Sequence, residues 1–407
     1  MNGASECYAE VGVAYLNCRA VNERRIDARG ALSVSLKVIA GFETAVVKSV
    51  SGQGVQLRSS TAEYLRERAT EEKQFTLDEE LELDCEECEA PRLLRASAEP
   101  VIESVELGER RAVVAGYINV KLAADVSGED ELRVKRAGFN LPFSQVVEIN
   151  ASTEGAFVSA LAAVPSCTAS FEGKNIVSLT ATTALELRLF ERAETNYVSD
   201  AFCTLCELET TRAPLMLMSS RDEVSEPITV KFTTEAEGDL VSLIDYYIAP
   251  PVFSPAPDEL GVKGRSTLCC TASDALGEIV ARDYPFEFVV HTSSAAASGP
   301  YSRLWAVFEN VDCSLEGGKL SLRCEGEVLG AATALDKLDA LASASGSESA
   351  PKTGSRPALR IYYAEAGEEL WEIAKRFDAS ADGIALENGI EGERTPTAGP
   401  LLIPAAI

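Results

Sequence analysis

The sequence predicts a mainly β protein: tandem β-rich, sandwich-like units followed by a small βααβ domain at the C-terminus. Three observations carry this. Long stretches alternate apolar and polar residues with a period of two, as in strands with one face on a core and one in water. Three of those stretches each follow a polar turn, which points to an internal repeat. The segment 358–407 instead sets a helical stripe between two short β-prone runs.

The first alternating stretch follows Asn22-Glu23-Arg24-Arg25. It puts Ile26, Ala28, Leu32, Val34, Leu36 and Val38 on one face, against Arg25, Asp27, Arg29, Ser33, Ser35 and Lys37. The second follows Glu172-Gly173-Lys174-Asn175, with Val177, Leu179, Ala181, Leu185, Leu187 and Leu189 on its apolar face. The third follows Glu316-Gly317-Gly318-Lys319, with Leu320, Leu322, Cys324 and Val328. Half-buried strands are expected in all three. The second and third share an upstream half: Asn140-Leu141-Pro142-Phe143 matches Asp283-Tyr284-Pro285-Phe286, and Val114-Ala115-Gly116 matches Val262-Lys263-Gly264. The expected layout is a partial half-repeat over 1–60, a connecting segment over 61–109 and a repeat over 110–192. A second connecting segment over 193–257 and a repeat over 258–342 follow. A divergent N-terminus, or a start placed inside a longer gene, is the expected reason for the missing first half.

Within these segments 71–84 and 224–234 read as strands. Residues 61–72, with Leu65 and Ala69 among many charges, read as a short surface helix, and 331–342 as a helix closing the third copy. Residues 343–357 are rich in Ser, Gly and Pro, the composition of a flexible tether that leaves the C-terminal module independently mobile.

In that module Arg360-Ile361-Tyr362-Tyr363 is β-prone and Ala366-Gly367 breaks it. Leu370, Ile373, Ala374 and Phe377 recur at i, i+3, i+4 and i+7, one buried stripe of a helix ended by Asp378-Ala379. Ser380 suits the N-cap of a second helix, and Asn388-Gly389 its left-handed C-cap. Leu401-Leu402-Ile403-Pro404 is the return strand.

Composition narrows the function classes. A net charge of −27 over 407 residues argues against an electrostatic grip on DNA, RNA or anionic lipid. Residues 1–6 lack a basic start and an apolar run of signal-peptide length, and no stretch approaches a membrane span, so no membrane insertion is expected. Eleven cysteines, an odd number, fit a reducing compartment and a cytosolic site of synthesis.

The C-terminal pattern resembles a LysM domain, on Tyr363, Gly367-Glu368-Glu369-Leu370-Trp371, Ile373-Ala374, Phe377, Asn388-Gly389, Gly399 and Leu402-Ile403-Pro404. The tandem Pro-Phe strands with long alternating strands resemble the spore-coat-associated SPOCS domain. Together they are similar to the clostridial coat morphogenetic proteins that encase the forespore. That resemblance implies a non-enzymatic scaffold in the mother-cell cytoplasm, at the forespore surface. Its LysM module would dock onto the ATPase of the coat basement layer, with other coat proteins and further copies as partners. It places a groove with Gly367, Glu368, Glu369 and Leu370 on one side and Asn388, Ile390 and Glu391 on the other. Trp371 lies at the edge of the stripe and is read first as a packing residue, second as part of that contact surface.

LysM modules that bind peptidoglycan or chitin usually carry Asp-Thr where Glu368-Glu369 stands, and often Gln where Pro400 stands. From Ala358 onward there are nine acids and four bases. Both features favour a protein partner. A peptidoglycan-binding cortex or wall anchor is the alternative.

Other chemistry is weaker. Cys85-Glu86-Glu87-Cys88 and Cys203-Thr204-Leu205-Cys206 each have half a zinc site's spacing but no nearby histidine, so free thiols are expected. Cys269 and Cys270 fall on opposite faces of a strand. His291 is the only histidine, at an apparent strand end, and reads as structural. No nucleophile elbow or phosphate-binding glycine loop is present, Gly52-Gln53-Gly54 reads as a turn, and neither an enzyme nor a cofactor is expected.

Overall fold

A computed structural model describes residues 5–22, 24–41, 44–83, 90–127, 132–256, 261–352 and 358–405. Seventeen strands, two α-helices and one short 3-10 turn (Ala295–Ser298) occur among them, so the fold is mainly β.

Strands β1 (Ser5–Asn22) and β2 (Arg25–Ala40) form a two-stranded antiparallel hairpin. Two sandwiches follow. The first is built from β3 (Val55–Glu82), β4 (Arg92–Leu107), β5 (Arg111–Asp125), β6 (Val134–Glu148), β7 (Phe157–Phe171) and β8 (Ile176–Cys203). Its sheets have the orders β3-β8-β7 and β4-β5-β6. Val114, Ile118, Val120, Phe143, Val177, Leu179, Leu185 and Leu187 fill one core between them.

The second sandwich uses β9 (Cys206–Glu235), β10 (Leu240–Ile248), β11 (Val252–Pro255), β12 (Gly261–Asp274), β13 (Ile279–His291), β14 (Ser302–Glu316) and β15 (Lys319–Pro351). Its β14-β15-β9 sheet repeats the order of the first, and β12 pairs with β10, β11 and β13. Leu268, Phe286, Phe288, Leu320, Leu322 and Val328 pack between the sheets. The C-terminal unit is β16 (Leu359–Ala364), α1 (Leu370–Phe377), α2 (Ala381–Asn388) and β17 (Gly399–Pro404), with β16 and β17 antiparallel.

Period two dictates the cores. In β8, Val177, Leu179, Ala181, Leu185, Leu187 and Leu189 are all essentially inaccessible, while Ser178, Thr180, Thr182, Ala184 and Glu186 between them are only half-buried. In β5 the backbones approach closely. A Cβ on Gly116 would lie 2.0 Å from the Val101 carbonyl oxygen, and one on Gly326 in β15 would lie 2.2 Å from that of Val307. Gly116 pairs with Phe143 but Gly264 pairs with Phe288, so with Phe143 and Phe286 superposed the position matching Gly116 is Ser266. The two glycines matched in sequence are therefore two residues out of register.

Several expectations fail. Residues 61–72 are not a helix: they lie in β3, whose 28 residues pair along β8. Leu65 and Ala69 fit either period, and the free backbone edge of β8 decides between them. Residues 331–342 are likewise strand, in register with β9 from Ala331 opposite Glu223 to Leu341 opposite Arg212. The tether does not begin at Ser343. Ser343 pairs with Thr211 and Gly346 with Leu208, and β15 runs on to Pro351 opposite Cys206. Residues 61–109 and 193–257 are also more than connectors, since they supply β3, β4, the end of β8 and β9–β11.

The first alternating stretch is not half-buried. Ile26, Leu32, Val34, Leu36 and Val38 are 59–73% exposed, because no second sheet covers β2 among the described residues. Residues 1–4 and 85–88, and the end of the expected tether at 353–357, lie outside the described residues.

Candidate partner-binding site

The C-terminal unit folds around its predicted stripe. Leu370, Ile373 and Ala374 are buried with Ile384, Leu401 and Ile403, and Phe377 packs at the edge. Asp378 ends α1 in the left-handed region, at φ 51°. Ser380 Oγ accepts from the Gly383 N–H at 3.2 Å, and Gly389 closes α2 at φ 62°. Glu369 stands at the N-cap of α1 with no side-chain capping bond, so the first turn depends on backbone pairing and the favourable charge of Glu372.

Gly367 adopts φ +81°, which a side-chain-bearing residue tolerates poorly, and its N–H donates to the Thr395 carbonyl at 2.8 Å. Its carbonyl accepts from Arg394 at 3.0 Å. The Glu368 carboxylate accepts from the Tyr362 hydroxyl at 2.8 Å and from the Glu365 N–H at 3.2 Å. The Leu370 N–H donates to the Glu393 carbonyl at 2.9 Å. Thr395, only 3% exposed, accepts from the Glu368 N–H at 3.0 Å and ties the two loops together.

On the other side, Asn388 is a clamp. Its amide donates to the carbonyls of Ile384 at 2.8 Å and Leu402 at 2.6 Å, and its Oδ1 accepts from the Leu402 N–H at 2.7 Å. Ile390 packs against the unit's core and Glu391 is exposed. The residues brought against Gly367–Leu370 are thus Glu393, Arg394 and Thr395 from the second loop, while Asn388 is committed to holding α2 on β17.

Glu369 and Trp371 face the first sandwich. Glu369 pairs with Arg394 and, at 3.0 Å, with Arg58 of β3. The Trp371 indole N–H donates to Asp200 of β8 at 2.9 Å, and its ring meets Phe202 edge-on at 4.9 Å between centroids. Lys375 reaches the same Asp200 oxygen at 2.8 Å, Arg212 of β9 pairs with the other at 3.0 Å, and Lys352 pairs with Asp378. Burial alone would raise the Asp200 carboxyl. The hydrogen bonds from Lys375 and Trp371, the Lys375 charge and the Ala201 N–H outweigh it and hold the group below the usual carboxylate range. Phe202 is counted in the unit's own core. The module is therefore seated on the ends of β3 and β8, not tethered freely.

Sequence spacing missed Arg58, Asp200, Phe202, Lys375 and Thr395. Asp200 carried a signal: it stands alone in the apolar run Tyr197-Val198-Ser199-Asp200-Ala201-Phe202, and a carboxylate there requires donors from elsewhere.

Seating leaves one apolar surface free. Leu359, Ile361 and Tyr363 alternate along the outer face of β16 at 46%, 65% and 76% exposure, opposite Pro404, Leu402 and Pro400 in register.

Cys203 and Cys206 flank the two-residue turn between β8 and β9, with the Cys203 sulfur accepting from the Leu205 N–H at 3.4 Å. Among the described residues no group of three His, Cys, Asp or Glu side chains is placed to hold a metal ion. Cys269 is half-buried and Cys270 buried, on opposite faces of β12, and His291 ends β13. No helix among the described residues is long and apolar enough to cross a membrane.

No family model matches this chain, and neither does any curated protein or solved structure.

Proposed function

We propose that this chain is a non-enzymatic scaffold of the SPOCS–LysM kind, acting in the mother-cell cytoplasm at the forespore surface. Its sandwiches present a platform to other coat proteins and to further copies of the chain. Its LysM-like C-terminal unit docks onto the basement-layer ATPase.

The observation that carries this reading is the outer face of β16, where Leu359, Ile361 and Tyr363 stand exposed. A contiguous exposed apolar strip suits a protein partner. The groove residues a glycan would need are less free, because Glu369 and Trp371 already hold the unit on Arg58, Asp200 and Phe202. A peptidoglycan ligand at that groove would compete with the chain's own contacts.

The test is capture of the ATPase by the full chain, run beside sedimentation with purified peptidoglycan sacculi. Ile361→Lys and Tyr363→Asp are expected to abolish capture with the circular dichroism unchanged. Co-sedimentation with sacculi and no capture would replace the docking reading with wall anchoring.

A further inference from the structure

The β1–β2 hairpin carries an apolar face that nothing in the described chain covers. Ile26, Leu32, Val34, Leu36 and Val38 line it along β2, and Leu16, Cys18 and Ala20 are register partners from β1 opposite Gly30, Ala28 and Ile26. The opposite face is polar along β2, with Arg25, Asp27, Arg29, Ser33, Ser35 and Lys37. A two-stranded sheet with one apolar face is half of a sandwich.

The rest of the chain gives the comparison. The β7–β8 and β14–β15 hairpins have the same arrangement, a tight polar turn and then a long alternating strand. In both, the alternating stripe of the long strand, Val177 to Leu189 in β8 and Leu320, Leu322, Cys324 and Val328 in β15, is at most 3% exposed, because a second sheet lies over it and a third strand flanks the long one. β2 has neither among the described residues.

We infer that this face is where two copies of the chain associate, each hairpin covering the other. Three features favour a second copy. The face is the exposed side of a two-stranded hairpin, and an apolar sheet face can pack on a copy of itself about a two-fold axis. Its size is adequate: a 16-residue strand is about 53 Å long and the hairpin about 10 Å wide. Two such faces give about 1,000 Å², the lower bound for a specific interface. Charge selects the place as well. Residues 1–40 hold five bases and four acids, a net charge of +1, so the remainder of the chain carries −28. Two strongly acidic molecules meet here with the least repulsion. A basic partner, by contrast, would be drawn to the rest of the surface.

Sedimentation equilibrium of the full chain under reducing conditions, from about 1 to 100 μM, tests this in the range expected of a small interface. A reversible dimer is expected, converted to monomer by the double substitution Val34→Lys, Leu36→Lys and weakened at least tenfold by Leu36→Ser. Lys37→Glu, on the opposite face, is expected to leave the dimer intact. The altered side chains are exposed, so circular dichroism and the melting temperature stay at wild-type values. A wild-type chain that remains monomeric across the range overturns the inference, and so does a dimer that survives Val34→Lys, Leu36→Lys.

Discussion

Replacing Asp200 with alanine removes the acceptor that seats the C-terminal unit. Asp200 is 8% exposed and receives Trp371 at 2.9 Å, Lys375 at 2.8 Å and Arg212 at 3.0 Å. The bond from Trp371 is charge-assisted and inside the contact, worth about 1.5–3 kcal/mol. Lys375 has a side chain 42% exposed and contributes under about 1 kcal/mol, while Arg212 of β9 pairs with Asp200 whether or not the unit is seated. The Trp371 and Lys375 bonds share one carboxylate and do not simply add, which puts the loss of seating at about 2–3 kcal/mol. The ratio of seated to released module then falls about 100-fold. In a Trp305→Phe background, Trp371 emission reports seating alone. With Asp200→Ala its red shift is expected at lower urea than the loss of β-sheet circular dichroism, whereas without that substitution the two transitions coincide. The pH arm has a definite sign. The folded carboxyl lies below its ordinary value near 3.9, so its stabilisation is full above that value and is lost as pH falls through the folded one. Seating therefore holds from pH 8 to about 5 and weakens below about 4. Coincident transitions in Asp200→Ala, or release between pH 8 and 5, would refute this account of the joint.

Two further outcomes test the sandwiches. Gly116→Ala and Gly326→Ala each drive a methyl onto a facing carbonyl oxygen and are expected to cost about 1–3 kcal/mol in urea unfolding, while Gly138→Ala, whose nearest neighbour is at 3.9 Å, leaves the midpoint unchanged or slightly higher. Burial pushes the Cys324 thiol up to about 11, so iodoacetamide at pH 8 leaves it unmodified in the folded protein and labels it in urea; labelling of the native protein would contradict its place in the second core.

Much of the fold was legible wherever one face of a strand meets a core. The stripe of β8 and that of α1 are both read directly from residue spacing, and Ser380 and Gly389 mark the ends of α2 through local backbone chemistry. What was not legible depended on distant partners. The Ala-rich stretch from Ala331 has good helix propensity, but β9 offers a free edge and Leu341 is buried against Val198 and Ala201, so pairing wins. Ser343 to Gly346 reads as linker by composition and is strand for the same reason. The β2 stripe misleads in the opposite direction, because alternation predicts a face that wants cover without supplying the cover. In the candidate site, the loop residues Gly367 to Trp371 stand out in the sequence by their spacing, but Arg58 and Asp200, the partners of Glu369 and Trp371, lie more than 170 positions away. No spacing rule reaches that far.

The central claim is that the C-terminal unit stays seated on the first sandwich while its outer face takes a protein partner. Amide hydrogen exchange of the full chain, with and without the basement-layer ATPase, addresses it most directly. The account predicts new protection confined to Leu359–Ala364 and Gly399–Pro404, with exchange at Gly367 to Trp371 and at Val198 to Cys203 unchanged. Protection at Gly367 to Trp371 accompanied by faster exchange around Asp200 would contradict it, since the unit would then be leaving its seat to bind through the groove.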